Sequence, residues 1–434
     1  MNAVLSRSIE PKAMVPASII ECDDNPYYGP LYGYYVSNTY YYNIMPDNAR
    51  IDNTRIKKLG YIFQENIFEL LDENIRAQIK PQKAVLDKEL TKAERFRTSE
   101  TKNNRKDLPE KQLLALKEFV LSAGGNAENI EETLVGYRTQ DGLHLIQIAT
   151  LTEVKIEPYT LKLDVFSRNT GILESSTMLE KRALFIGCGS VGSLVAVELA
   201  KAGVGAFMLV DNDVFSYHNI CRHQCGIYDV GRYKTDAVAD RILQINPYAK
   251  VLKFNSTIQD VDRDKILEFC NTDSIIIGGA DNREGDLYAN RFATQTGASF
   301  MSIGCWERAF AGEIFYCLPE GMPTYEDFLS IVGYTSGRIT QHRRFYTTEE
   351  ELEKVSFEPG ISADINFVTI IAIKMALDLL NRNNPEYTQR LLPNLTQYTL
   401  VCNTNNPKIG GEQAEIFSYP LQVTTSIIVP YAEK

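Results

Sequence analysis

Residues 183–213 read ALFIGCGSVGSLVAVELAKAGVGAFMLVDND, an apolar run, a glycine-rich turn, a helix former and a second apolar run that ends on acid. Ala183 to Ile186 has the character of a short buried strand, and Gly187-Cys188-Gly189-Ser190-Val191-Gly192 fits G-x-G-x-x-G. The spacing then predicts a helix from Ser193 to Ala202, ended by Gly203, and a second strand from Phe207 to Val210. In such a unit the first two glycines let the backbone turn tightly and approach phosphate or ribose. The third permits close helix-to-strand packing. Asp211, at the carboxyl end of the second strand, occupies the place from which an acid holds ribose hydroxyls. The stretch therefore predicts a nucleotide site.

Outward from it the same alternation continues. Val251 to Phe254, Ser274 to Ile277, Phe300 to Ile303 and Ile314 to Tyr316 read as further strands, and Thr235 to Ile245, Arg263 to Phe269 and Gly285 to Thr296 as the helices between them. This β-α-β rhythm predicts an α/β fold, a Rossmann-like doubly wound, mostly parallel sheet that binds ligands beyond the carboxyl ends of its strands. A long helix is expected over Ile361 to Asn381, and the loop 319–359 before it exceeds ordinary connections. Residues 1–165 have a different texture and are expected to form an N-terminal α+β domain ahead of 166–434. Pro26 to Tyr42 carries eight tyrosines, which suit a strand pair or an exposed partner-binding face. Ile56 to Leu71 and Lys111 to Ala123 have helical spacing, Thr91 to Pro109 is a polar, lysine-rich stretch, and Thr133 to Tyr137, Leu143 to Leu151 and Leu161 to Phe166 read as strands.

With 44% hydrophobic and 23% charged residues, the 434-residue chain has the composition of a globular protein large enough for two domains. A net charge of −11 argues against a broad nucleic-acid footprint. The longest apolar runs are broken by glycine, Glu198 or Lys374 before bilayer length, so a cytoplasmic protein without a membrane span is expected. Eight scattered cysteines include no C-x-x-C, and a chain of this size does not need disulfides.

The residues after Asp211 separate two chemistries that share the glycine motif, nicotinamide or flavin redox and ATP use. Asp211-Asn212-Asp213-Val214-Phe215-Ser216-Tyr217-His218-Asn219-Ile220-Cys221-Arg222-His223-Gln224 supplies an amide and a guanidinium, and Lys234 follows just before a helix. Arg and Lys together neutralise a triphosphate as its charge moves during transfer. Gly278-Gly279-Ala280-Asp281-Asn282 then puts an acid at the tip of the fourth strand, a hard oxygen ligand suited to magnesium.

GCGSVGS, DNDVFSYHNICRHQ, VGRYK and GGADN, in that order, resemble the signature of the ThiF/MoeB and ubiquitin-activating enzyme superfamily, over roughly Phe166 to Leu380. The resemblance implies that Gly187, Gly189, Gly192 and Asp211 hold adenosine, with Asp213 and Asn282 alongside. It implies that Asn219, Arg222 and Lys234 hold the phosphates of ATP and that Asp281 holds Mg2+. It further implies adenylation of the C-terminal carboxylate of a ubiquitin-like protein or peptide with release of pyrophosphate, a homodimer, and a downstream conjugating protein. Val165-Phe166-Ser167-Arg168 is similar to the family's arginine motif, which makes Arg168 the residue expected to be donated across the dimer. FSRNTGILE and Glu358-Pro359-Gly360-Ile361-Ser362-Ala363-Asp364 look closest to the bacterial type, some members of which carry an N-terminal domain as a substrate clamp.

The chain departs from the family pattern in its cysteines. Only Cys317 and Cys402 lie near the expected zinc positions, too few for a four-thiolate site, and Cys221, His223 and Cys225 offer no fourth ligand. No cysteine occurs between Leu318 and Pro359, so Cys317 is the remaining candidate for a thioester nucleophile, ahead of Cys305. Three alternatives stay open: a dehydratase acting on threonylcarbamoyl-adenosine in tRNA, disfavoured by the acidic balance; an NAD-dependent oxidoreductase, for which no general acid stands out; and a binding-only scaffold.

Overall fold

The computed structural model describes residues 11–20, 26–42, 57–64, 133–148, 152–160, 165–279, 283–332, 359–394 and 396–432. The chain divides into two compact units, Met1–Asp164 and Val165–Lys434.

The first unit holds one mixed sheet of Lys12–Pro16 (β1), Gly29–Val36 (β2), Thr39–Tyr42 (β3), Lys57–Ile62 (β4), Leu134–Thr139 (β5), Gly142–Gln147 (β6), Thr152–Glu153 (β7) and Lys155–Tyr159 (β8). Their order is β7-β6-β5-β4-β2-β3-β1-β8. The tyrosine-rich stretch is the β2–β3 hairpin, closed by Ser37 and Asn38, both with positive φ, as a tight two-residue turn requires. Strand alternation divides its tyrosines: Tyr40 and Tyr42 are buried, with Tyr42 donating to the Leu59 carbonyl at 3.0 Å, while Tyr34 and Tyr41 face solvent. The helix expected over Ile56 to Leu71 is not formed at its start. Lys57–Ile62 is instead a strand between β2 and β5, because hydrogen-bonded neighbours on both sides outweigh a weak helical spacing interrupted by Gly60. Residues 65–71, Thr91 to Pro109 and Lys111 to Ala123 lie outside the described residues. Val165 and Phe166, expected to end a strand, sit in a turn before the short 3-10 helix Ser167–Asn169.

In the second unit, Arg182–Ile186 (β9), Ala206–Val210 (β10), Lys250–Phe254 (β11), Ser274–Gly278 (β12) and Ser299–Cys305 (β13) are parallel. Ala311–Cys317 (β14), Tyr398–Cys402 (β15) and Val423–Ile427 (β16) extend the sheet antiparallel, in the order β11-β10-β9-β12-β13-β14-β15-β16. Helices Ser190–Lys201 (α1), Lys234–Ile245 (α2), Arg263–Phe269 (α3), Arg283–Thr296 (α4), Tyr325–Val332 (α5) and Ser362–Leu380 (α6) cover both faces. The two-residue period of the strands assigns the packing. Ala183, Phe185, Phe207 and Leu209 join Val195, Leu199, Ile242 and Ala372 under α1, α2 and α6. Leu184, Ile186, Met208 and Val210 join Ile266, Phe292 and Phe328 under α3, α4 and α5. This is the Rossmann-like doubly wound sheet expected. Strand order reverses between β9 and β12, which puts the glycine loop at the topological switch point. The region 319–359 is not wholly a loop, since α5 occupies part of it; residues 333–358 lie outside the described residues. No described helix is long and apolar enough to cross a membrane.

Candidate functional site

At the end of β9 the chain turns at Gly187, whose φ of 90° lies in the region that favours glycine. Gly189 then caps α1, and a Cβ built on it would meet nothing within 4 Å. The backbone therefore borders open space at the N-terminus of a twelve-residue helix, where amide groups and the helix dipole favour an anion. Gly192 is required for a different reason: its Cβ would lie 2.1 Å from the Gly187 carbonyl oxygen.

Asp211 closes the loop from the β10 side. Its Oδ2 accepts the Cys188 N–H at 2.6 Å and its Oδ1 the Asp213 N–H at 2.8 Å. Burial raises its carboxyl above the ordinary range, opposed by these two donors and by the charge of Lys234. A carboxylate offers about four lone-pair sites, so two donors leave capacity for ribose hydroxyls. Asp213 in turn accepts from Lys234 Nζ at 2.6 Å. Lys234 is the buried first residue of α2, and its backbone N–H also bonds the Asp213 carbonyl at 3.0 Å. Asn219 ends a 3-10 turn, its Oδ1 accepting from Ser216 N at 2.9 Å, and half-buried Arg222 follows with its N–H on the Asn219 carbonyl.

Gly187, Gly189, Gly192, Asp211, Asp213, Asn219, Arg222 and Lys234 thus fall on neighbouring elements at one edge of the sheet. Asp281 and Asn282 lie outside the described residues. Before them, Gly279 N–H bonds the Ile186 carbonyl at 2.9 Å, and a Cβ on Gly279 would lie 3.5 Å from the Gly192 nitrogen. After them, Arg283 pairs with Glu313 at 2.8 Å in a buried contact. Glu313 also accepts from Trp306 Nε1 at 3.1 Å and Tyr398 OH at 3.0 Å. Gly279 and Arg283 are therefore both anchored, the second by a carboxylate on an antiparallel strand that no motif marks.

Two expected residues are not brought to this edge. Arg168 is exposed, and its neighbour Asn169 bonds the Lys201 carbonyl at the far end of α1, about 18 Å from the glycine loop for a helix of this length. It does not reach its own chain's loop. Cys317 pairs with Phe300 near the start of β13, at the opposite edge of the sheet from the glycine loop. Its thiol is buried, pushed up to about 12 by that burial, and takes a hydrogen bond from Asn290 Nδ2 at 3.0 Å. A buried thiol held in its neutral form is a weak nucleophile, so this position does not favour the role expected of Cys317. No group of three or more possible metal ligands occurs among the described residues.

His223 is buried against the glycine loop. Burial pushes its imidazole down to about 4, with the Lys234 charge adding to the effect and the Cys188 carbonyl and Asp229 opposing it. The unfolded chain takes up this proton below the ordinary 6.5, whereas the folded one does so only near 4. Stability from the neutral ring is therefore complete above pH 6.5 and is lost as pH falls toward 4, by roughly 3 kcal/mol in all. Asp211, whose carboxyl is raised, works in the opposite direction. The informative quantity is thus the Tm of the parent minus that of His223→Gln, which should fall between pH 7 and pH 4.5; a difference independent of pH would mean that the ring titrates normally.

The sulfur carrier protein ThiS adenylyltransferase of Bacillus subtilis is 28% identical over 181 residues, 39% of this chain and 53% of that protein. A ubiquitin-like modifier-activating enzyme 5 of Bombyx mori is 28% identical over 185 residues, 40% of this chain and 46% of that protein. The chain spans about half the length of the curated relatives it matches. Among solved structures, E. coli MccB with ATP aligns with a TM-score of 0.42 at 17% identity, covering 59% of this chain and 66% of that one. The ThiF family model matches residues 163–412, from just before the arginine motif to beyond β15, more than half of the sequence, and the chain belongs to the ThiF family.

Proposed function

We propose that the chain is an ATP-dependent adenylyltransferase that activates the C-terminal carboxylate of a ubiquitin-like protein or peptide. The observation that carries the reading is the unbroken hydrogen-bonded run Cys188–Asp211–Asp213–Lys234, which sets a buried cation beside a glycine loop that borders open space. In the reaction a carboxylate oxygen attacks the α-phosphorus, an O–P bond forms, and pyrophosphate leaves with the electron pair of the broken bond. Two anions must be held together, so cations supply the catalysis and no general base is needed. Gly187, Gly189, Gly192 and Asp211 would hold the nucleoside, Asn219, Arg222 and Lys234 the phosphates. Asp281 would hold Mg2+, whose charge offsets that of the polyphosphate.

Arg168, exposed and remote from its own loop, is in this reading donated to a second copy of the chain. The first unit, with Tyr34 and Tyr41 exposed, would recognise the substrate. The acyl group would pass to an amine or to another protein's thiol, not to Cys317, and the enzyme would work in the cytoplasm. The test is isotope exchange between pyrophosphate and ATP with candidate carboxyl substrates, beside Asp281→Ala. Exchange that needs the acceptor and is lost in that variant is expected. Silence with every acceptor, together with tight NAD binding, would replace this reading with a redox one.

A further inference from the structure

His223 stands between the glycine loop and the segment that carries Arg222. Its ring is buried and edge-on to Phe215, with centroids 4.8 Å apart. Nε2 lies 2.7 Å from the carbonyl oxygen of Cys188, and Nδ1 lies 3.1 Å from the backbone nitrogen of Cys225. A carbonyl oxygen only accepts and an amide N–H only donates, so the ring carries its proton on Nε2 and none on Nδ1. The pull of burial against a second proton supports the same state.

Cys188 is consequently held from both ends, its N–H by Asp211 at 2.6 Å and its carbonyl by His223. Across a trans peptide the carbonyl and the next N–H point in opposite directions. Fixing the Cys188 carbonyl on His223 therefore turns the Gly189 N–H away from the ring, at the residue whose missing side chain leaves open space. The other nitrogen ties the same ring to Cys225, three residues beyond Arg222. We propose that His223 is a positioning residue for the nucleotide, orienting the Gly189 amide toward an oxygen of ATP and holding the glycine loop in register with the Arg222 segment. The inference rests on the adenylation reading, and it assigns to His223 no contact with the reacting atoms.

His223→Leu removes both hydrogen bonds, whereas the amide of His223→Gln can donate to the Cys188 carbonyl and accept from Cys225. In the full chain, ATP affinity by calorimetry and the ATP KM and kcat of pyrophosphate exchange are measured beside Tm. His223→Leu is expected to weaken ATP by at least about tenfold, the effect of losing an oriented hydrogen bond. That loss should appear in KM, with kcat at saturating ATP changed by less than about threefold, since uniform binding is what is removed. His223→Gln should recover most of it. ATP binding by His223→Leu within about twofold of the parent would overturn the inference alone; no ATP binding by the parent would overturn the adenylation reading and this inference with it. Should His223→Leu fail to fold, Gln and Asn are compared, the shorter amide being unable to span both partners. Asn binding ATP as tightly as Gln would then overturn the proposal.

Discussion

Lys234→Met is expected to lower pyrophosphate exchange by on the order of 10²-fold or more, as removal of one transition-state donor does elsewhere, while Tm moves by no more than about 2–4 °C. Two terms that stability would minimise are tolerated at this residue. It is a cation on the first residue of α2, where the helix dipole opposes it, and its side chain is 11% exposed. Asp213, its partner at 2.6 Å, is 63% exposed and is rehydrated when the lysine is gone, so methionine leaves no buried lone charge. Function and stability should therefore separate in this variant. A variant that keeps more than about a third of the exchange rate would reduce Lys234 to a structural partner of Asp213.

Gly192→Ala should cost both stability and nucleotide binding, whereas Gly189→Ala should cost binding alone. At Gly192 the added Cβ would sit 2.1 Å from the oxygen and 3.0 Å from the carbon of the Gly187 carbonyl, and backbone cannot step aside as a flexible side chain can. Either α1 shifts away from β9 or the Gly187 peptide rotates, and both move the loop's N–H groups. Overpacking of this kind costs about 1–3 kcal/mol, and displaced N–H groups should weaken ATP binding by about tenfold or more. At Gly189 the φ of −73° suits any residue and the Cβ meets nothing within 4 Å, so the free protein should keep its Tm. Calorimetry with ATP separates the two. Gly189→Ala binding ATP like the parent would show that the nucleotide does not cross this residue.

The parallel strands were legible because each is a short apolar run closed by a turn, and burial on both faces needs nothing subtler. Strands β10 and β11 begin one residue before the sequence reading, while β13 and β14 extend further. Tyr398–Cys402 and Val423–Ile427 passed unnoticed, since an antiparallel extension has no glycine motif or crossover helix to mark it. Lys57–Ile62 was misread because its spacing suits a helix as well as a strand until β2 and β5 flank it. The site shows the same division. Gly187, Gly189 and Gly192 are spaced by covalent connectivity, and Asp211 follows them by one helix and one strand, so a linear motif contains them. Glu313 and the tautomer of His223 depend on partners distant in sequence, Arg283 and Cys188 among them.

By itself the sequence determined that a glycine loop, a helix and an acid-tipped strand follow one another, because turn chemistry and hydrophobic period are local. Only the tertiary structure decided which groups share an edge of the sheet. It set Lys234 against Asp213 and tied the His223 ring to both the glycine loop and Cys225. It put Cys317 at the opposite edge, in a core that keeps its thiol protonated. The physical reason is that strand direction and burial, which fix where a side chain ends and whether its charge is tolerated, arise from neighbours that the linear order does not specify.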